Sequence, residues 1–107
     1  MTVRRLDDVP PHASEVPGVV ARRLKRVEDV ELKVMDIAAG HGTPFHVHSH
    51  AHDGVVMAGS GALRVDDGEA IPLTPGDTFS IHPHAPHAIE NHETLPMRIL
   101  CLDCDVD

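Results

Sequence analysis

Tryptophan and tyrosine are absent from these 107 residues, and Phe45 and Phe79 are the only phenylalanines. Stacking on a flat substrate would therefore be poor, and no phenol is on hand as an acid. Basic residues are also scarce: nine Lys and Arg face seventeen Asp and Glu, for a formal charge of −8. That balance argues against nucleic acid or an anionic membrane as a partner, since both are gripped by clustered cations. The one local exception, Arg22, Arg23, Lys25 and Arg26, reads as the solvated face of an edge strand. No apolar run is long enough to span a bilayer, and the start Met1-Thr2-Val3-Arg4-Arg5 has no signal-peptide pattern, so the expectation is a soluble cytoplasmic protein. No stretch carries a convincing helical period, which leaves no room for a helix-turn-helix. The only cysteines, Cys101 and Cys104, have CxxC spacing at the chain's end, outside a strand-to-helix redox context and without the second CxxC of a zinc ribbon.

What is abundant is histidine, ten in all, and its placement is not random. The tract His46-Val47-His48-Ser49-His50-Ala51-His52 is internal, unlike a purification tag, and His87 follows at a distance. On a strand, side chains two apart share a face, so His46 and His48 make a two-pronged ligand. Neutral imidazole is a ligand for Zn, Cu, Fe and Ni.

The rest of the chain reads as β. Short apolar and β-branched runs fall at about 18–27 and 30–38, at Val55-Val56-Met57, at Ala62 to Val65, at Ala70 to Leu73, at Thr78 to Ile81 and at 97–102. Glycine, proline and aspartate punctuate them, notably in the hairpin signal Asp66-Asp67-Gly68 and the turn Pro75-Gly76-Asp77. Such a pattern predicts an all-β sandwich or barrel in one domain. Residues 1–17, with Pro10, Pro11 and Pro17, are expected to form an extended arm, and 18–104 the barrel. Alternation points Cys101 inward with Met97 and Ile99, while Cys104 should lie beyond the strand in a frayed end.

Two frames stand out: Gly40, His46, His48, His52, Gly59, and then Gly76, His82, His84, His87, Asn91. Together they resemble the two signature motifs of the cupin superfamily. With "HVHSHAHDGVVMAGSGAL", "PGDTFSIHPHAPHAIEN" and "MRILCLDC", the chain from about Val19 onward is similar to small single-domain cupins with a four-histidine metal site, often described as manganese-binding. The resemblance implies a double-stranded β-helix, or jelly-roll barrel, holding one divalent transition metal ion on His46, His48, His52 and His87. Mn or Fe is favoured, and Ni, Cu or Zn is possible. His52 stands where the motif most often has Glu, and His82 and His84 replace its usual Pro and Gly. A competing register pairs His48 with His50 but puts Gly54, which has no side chain to offer, at the acidic position. His50 is then the substitute ligand.

Four neutral imidazoles would leave the ion its full charge, which favours an anionic substrate and an open, catalytic site over a closed structural one. The expectation is a metal-dependent oxidoreductase of dioxygenase type, using O2 or peroxide on a small organic molecule. A non-catalytic cupin that binds a small ligand or metal is the alternative, and a sugar isomerase or epimerase the third. His50, His82, His84 and Asp53 are candidate acid-base residues, each weighed against a plain place on the rim. Cys101 is a further candidate if it reaches the metal layer. Sheet extension into a homodimer is expected, with Arg22 to Arg26 and Val3 to Val9 near the contact, against a monomer whose edge those charges guard.

Overall fold

The computed structural model describes residues 1–12, 16–66 and 68–105. After a 3-10 turn at Leu6–Asp8 come eight strands: β1 (Val19–Val27), β2 (Val30–Ile37), β3 (His50–Ala58), β4 (Gly61–Val65), β5 (Glu69–Leu73), β6 (Thr78–Ile81), β7 (His87–Glu90) and β8 (Met97–Asp105). A five-stranded sheet in the order β1-β2-β8-β3-β6 packs on a three-stranded one, β5-β4-β7, with antiparallel pairing throughout. This is the all-β architecture that the strand pattern predicts, in the jelly-roll form that the resemblance implies. No helix among the described residues is long and apolar enough to cross a membrane.

Strand alternation builds the core. In β8 the side chains of Met97, Ile99 and Cys101 are fully buried while Leu102 faces outward, as the period of two requires. The register sets Ile37 opposite Met97, then Met35 and Val56 opposite Ile99, then Lys33 and Gly54 opposite Cys101, and His52 opposite Asp103. The interior therefore grades from apolar at one end to polar at the other. Leu63, Leu73 and Ile89 close the apolar end from the smaller sheet. At the β3–β4 turn Gly59 has φ +73°, and a Cβ there would lie 2.1 Å from the Pro96 carbonyl oxygen. Only glycine tolerates both demands.

The structure departs from the sequence reading in three places. His46 and His48 precede β3, which starts at His50. The reason is topological: His46 is bridged to His87 at the end of the small sheet, so the chain must cross to the large sheet before His50. Val55 to Met57 is not a continuous buried run, because β3 alternates through it and leaves Met57 56% exposed. Cys104 is inside β8, paired with Val30 and Ala51, because neighbours on both edges carry that strand further than the expected fraying point.

The first residues lie along β1 of their own chain. Val9 is buried, its carbonyl accepts from Nε of Arg22 at 3.1 Å, and the amide of His12 donates to Ala21. Strand β1 is an edge, and its three arginines are answered from within: Arg22 pairs with Asp36, and Arg23 and Arg26 with Glu31. Of the segments discussed above, 13–15 of the arm, Asp67 of the hairpin turn and 106–107 of the tail lie outside the described residues.

Candidate metal centre

At the polar end is a cavity of about 140 Å³ lined by His46, His48, His50, His52, His87 and Lys33 over the apolar side chains of Met35 and Ile89. Three elements deliver the imidazoles. His46 and His87 are locked together by reciprocal backbone hydrogen bonds of 2.9 and 3.0 Å. The carbonyl of His48 accepts from the amide of His84, which holds the crossing segment. His50 and His52 project from β3 on the same face. A larger hollow of about 630 Å³ on the outer face, lined by Leu32, Val55, Leu100 and Leu102 among others, holds no imidazole.

The rings are close packed. Centroids of His46 and His48 lie 4.8 Å apart, His46 and His87 4.5 Å, and His48 and His87 4.6 Å. His52 is 5.7 Å from His48 and 6.0 Å from His87. His50 stacks on His48 at 3.9 Å. The ligand atoms form two sets, His46-His48-His87 and His48-His50-His52, each mutually within 4.8 Å and sharing His48. All four histidines of the preferred register and the substitute, His50, thus line one cavity, but neither mutually close set contains all four.

Hydrogen bonds select the tautomers. Nδ1–H of His87 donates to the Ala85 carbonyl at 2.9 Å, and Nδ1 of His46 is similarly engaged by Pro44. Each ring then presents Nε2 as a lone pair. In His52, Nδ1 is 3.1 Å from Oδ1 of Asp103, an ion-pair distance without hydrogen-bond alignment, and Nε2 is buried with no hydrogen-bond partner. A buried, unsatisfied nitrogen is costly unless something fills its lone pair. A divalent transition metal ion among these rings meets that need, so the residues present fit the group.

Burial favours the neutral form of His48, His52 and His87. Desolvation, reinforced by the charges His50, His87 and His46 would carry if protonated, lowers His48 to a pKa of about 4. Desolvation likewise lowers His52 to about 4 against the opposing pull of Asp103, and it lowers His87. Metal binding needs neutral imidazole. The cavity supplies it well below the usual histidine range.

Asp103 is the residue that sequence reading missed. It is 6% exposed, with Oδ2 at 2.8 Å from Nζ of Lys33 and 3.6 Å from Nε2 of His50. The signal was present: Met97, Ile99, Cys101 and Asp103 continue one inward row, and an acidic residue in an inward position of a strand demands a partner. Behind His52 the ring of Phe79 stacks at 5.9 Å. It occupies the space that a Cβ on Gly54 would invade, at 2.5 Å from Cζ. Gly54 is therefore a packing position.

The remaining candidates lie elsewhere. His82 and His84 are exposed and do not line the cavity. Asp53 pairs with Ser80 on the opposite face of β3 from His52. Cys101 is buried beneath the histidine layer and its thiol is pushed up to about 12 by desolvation, which keeps it protonated. Both cysteines are free.

A family model, described as a cupin domain, matches residues 33–103, two thirds of the chain. The chain belongs to the cupin family. Among curated proteins this cupin is 33% identical over 66 residues to an uncharacterized protein of Methanocaldococcus jannaschii; the match covers 61% of this chain and 52%, about half, of that relative. Its fold is similar to that of the polyketide cyclase RemF from Streptomyces resistomycificus, with TM-score 0.83 and 24% identity over 97% of this chain and 79% of that one. It is also similar to a predicted oxalate decarboxylase from Thermotoga maritima, with TM-score 0.84 and 20% identity over 98% of this chain and 100% of that one. At these identities the solved structures establish the cupin fold and no more.

Proposed function

We propose that this cupin binds one divalent transition metal ion through His46, His48, His52 and His87, with Mn or Fe favoured and Ni, Cu or Zn possible. On this reading it is a metal-dependent oxidoreductase of dioxygenase type, oxidising a small organic molecule with O2 or peroxide. The observation that carries it is the buried Nε2 of His52, without a hydrogen-bond partner in a cavity of imidazoles. Bound there, the ion would supply Lewis-acid and redox chemistry at the positions that the four rings leave open. The chain's own part is to fix His46 and His87 through Pro44 and Ala85, to set Asp103 beside His52, to favour the neutral form of His48, His52 and His87 by burial, and to line the space with Met35 and Ile89.

A second reading, a non-catalytic cupin that holds metal or a small ligand, is favoured by one observation. The acid-base candidates His82, His84 and Asp53 do not line the cavity, which leaves only His50 beside it. The isomerase reading stands lower, because about 140 Å³ is small beside the ~300 Å³ at which ligand pockets usually begin. We place the protein in the cytoplasm and expect it to pair with a second copy along the β1 edge.

Metal analysis of protein purified without chelators or nickel resin, followed by O2 and peroxide consumption across a panel of small organic acids, tests the reading. Stoichiometric metal with turnover is expected. Metal without turnover favours the binding role, and absence of bound transition metal sinks the oxidoreductase and the metal-holding role, leaving only a small-ligand binder.

A further inference from the structure

Lys33 is the one cation among the cavity's lining residues. It comes from β2, on the inward row continued by Met35 and Ile37, and its side chain is only 20% exposed. Turning an ammonium into a barrel costs desolvation, and Asp103 at 2.8 Å offsets that cost. Lys33 and Asp103 carry opposite charges, so as a unit they add no net charge. Yet no carboxylate lines the cavity itself, because Asp103 sits behind His52 and Lys33. With a divalent ion in place the accessible space would therefore be strongly positive, and what balances it must come from outside. An ammonium has more donors than one carboxylate contact uses.

Size and donor type narrow the occupant. A cavity of about 140 Å³ has room only for a small occupant, since it equals the space of about five molecules of liquid water at ~30 Å³ each. Phosphate is ordinarily gripped by an arginine fork, a helix N-terminus or a glycine-rich turn, and none of these lines the cavity. We propose that Lys33 is the docking group for the carboxylate of a small organic acid that occupies the histidine cavity. This deepens the metal-site reading above and rests on it: the acid's other end faces the ion.

The probe is malonate, with malonamide as its uncharged counterpart and inorganic phosphate as the competing anion, titrated calorimetrically into manganese-loaded protein whose metal content is measured in parallel. Lys33→Met is expected to weaken malonate at least tenfold with metal content unchanged, and malonamide should bind poorly to both proteins. The double variant Lys33→Met with Asp103→Asn removes the pair without stranding a buried carboxylate and, compared with Asp103→Asn alone at matched metal content, should lose malonate to the same extent. In the wild-type protein the Lys33 Nζ resonance should shift as malonate is added. Equal malonate affinity in Lys33→Met, tighter binding of phosphate than of malonate, no binding of malonate by the wild type, or an unmoved Nζ signal would each overturn the proposal. If the wild type takes up no metal, the metal reading fails separately. Malonate titrated into metal-free protein then judges Lys33 by the same comparison.

Discussion

Nδ1 of His52 and Oδ1 of Asp103 face each other at 3.1 Å, both buried, across the β3–β8 pair that sets these two residues directly opposite. A carboxylate this close to an imidazole raises the ring's basicity and so its strength as a metal ligand. Asp103→Asn should therefore lower metal affinity by about 10–100-fold while leaving the four histidines in place. A competition titration against a chelator of known affinity reads this directly, and unchanged affinity would reduce Asp103 to a counter-ion for Lys33.

Changing His46, His48, His52 or His87 to Ala should each lower metal occupancy, measured by elemental analysis, because each removes one nitrogen. His50→Ala should be milder, since His50 sits stacked on His48 and belongs to the second of the two overlapping triads. The opposite ranking, with metal surviving loss of His52 and lost with His50, would move the site to the alternative register.

Acid should act on stability and metal together. His48 and His52 titrate at about 4 in the folded chain against 6.5 as the ordinary value. As pH falls the unfolded chain takes up protons that the folded one refuses. The metal-free protein should thus keep its full stability above about pH 6.5, lose it progressively towards pH 4, and lose no more from these two groups below that. Metal occupancy should begin to fall below about pH 6 and be lost as pH passes through about 4, where protons compete for His48 and His52. Denaturation midpoints and metal content across pH 8 to 3.5 check both, and full occupancy at pH 3.5 would contradict an all-imidazole site.

Light scattering at micromolar concentration should give the mass of two chains. Removing residues 1–9 should weaken that association and also lower stability, because Val9 is buried against its own chain and its carbonyl holds Arg22. Metal binding should persist. A mass of one chain for the intact protein would mean that the paired cations of β1 guard a free edge.

The strands were legible because alternation is local: Val19 to Val27, Thr78 to Ile81 and the inward row Met97, Ile99, Cys101 can be read two residues at a time. The histidines were legible because their spacing matched a known pair of motifs. Asp103 was not, although it continues the same row. Its meaning depends on Lys33 and His52, seventy and fifty-one positions away, and only pairing of β8 with both β2 and β3 brings them to it. The crossing of the chain between sheets at His46 to His50 was hidden for the same reason, since a bridge to His87 cannot be inferred from the segment that makes it.

By itself, then, the sequence determined the fold class and picked out the histidines as candidate metal ligands, since these follow from residue chemistry, short-range periodicity and motif spacing. Tertiary structure decided the rest. It placed a fifth imidazole in the cavity, took His82, His84 and Asp53 out of it, set a buried ion pair behind His52 and limited the space to a small occupant. Each of these is a distance between residues far apart in the chain, and such distances exist only once the sheets have closed.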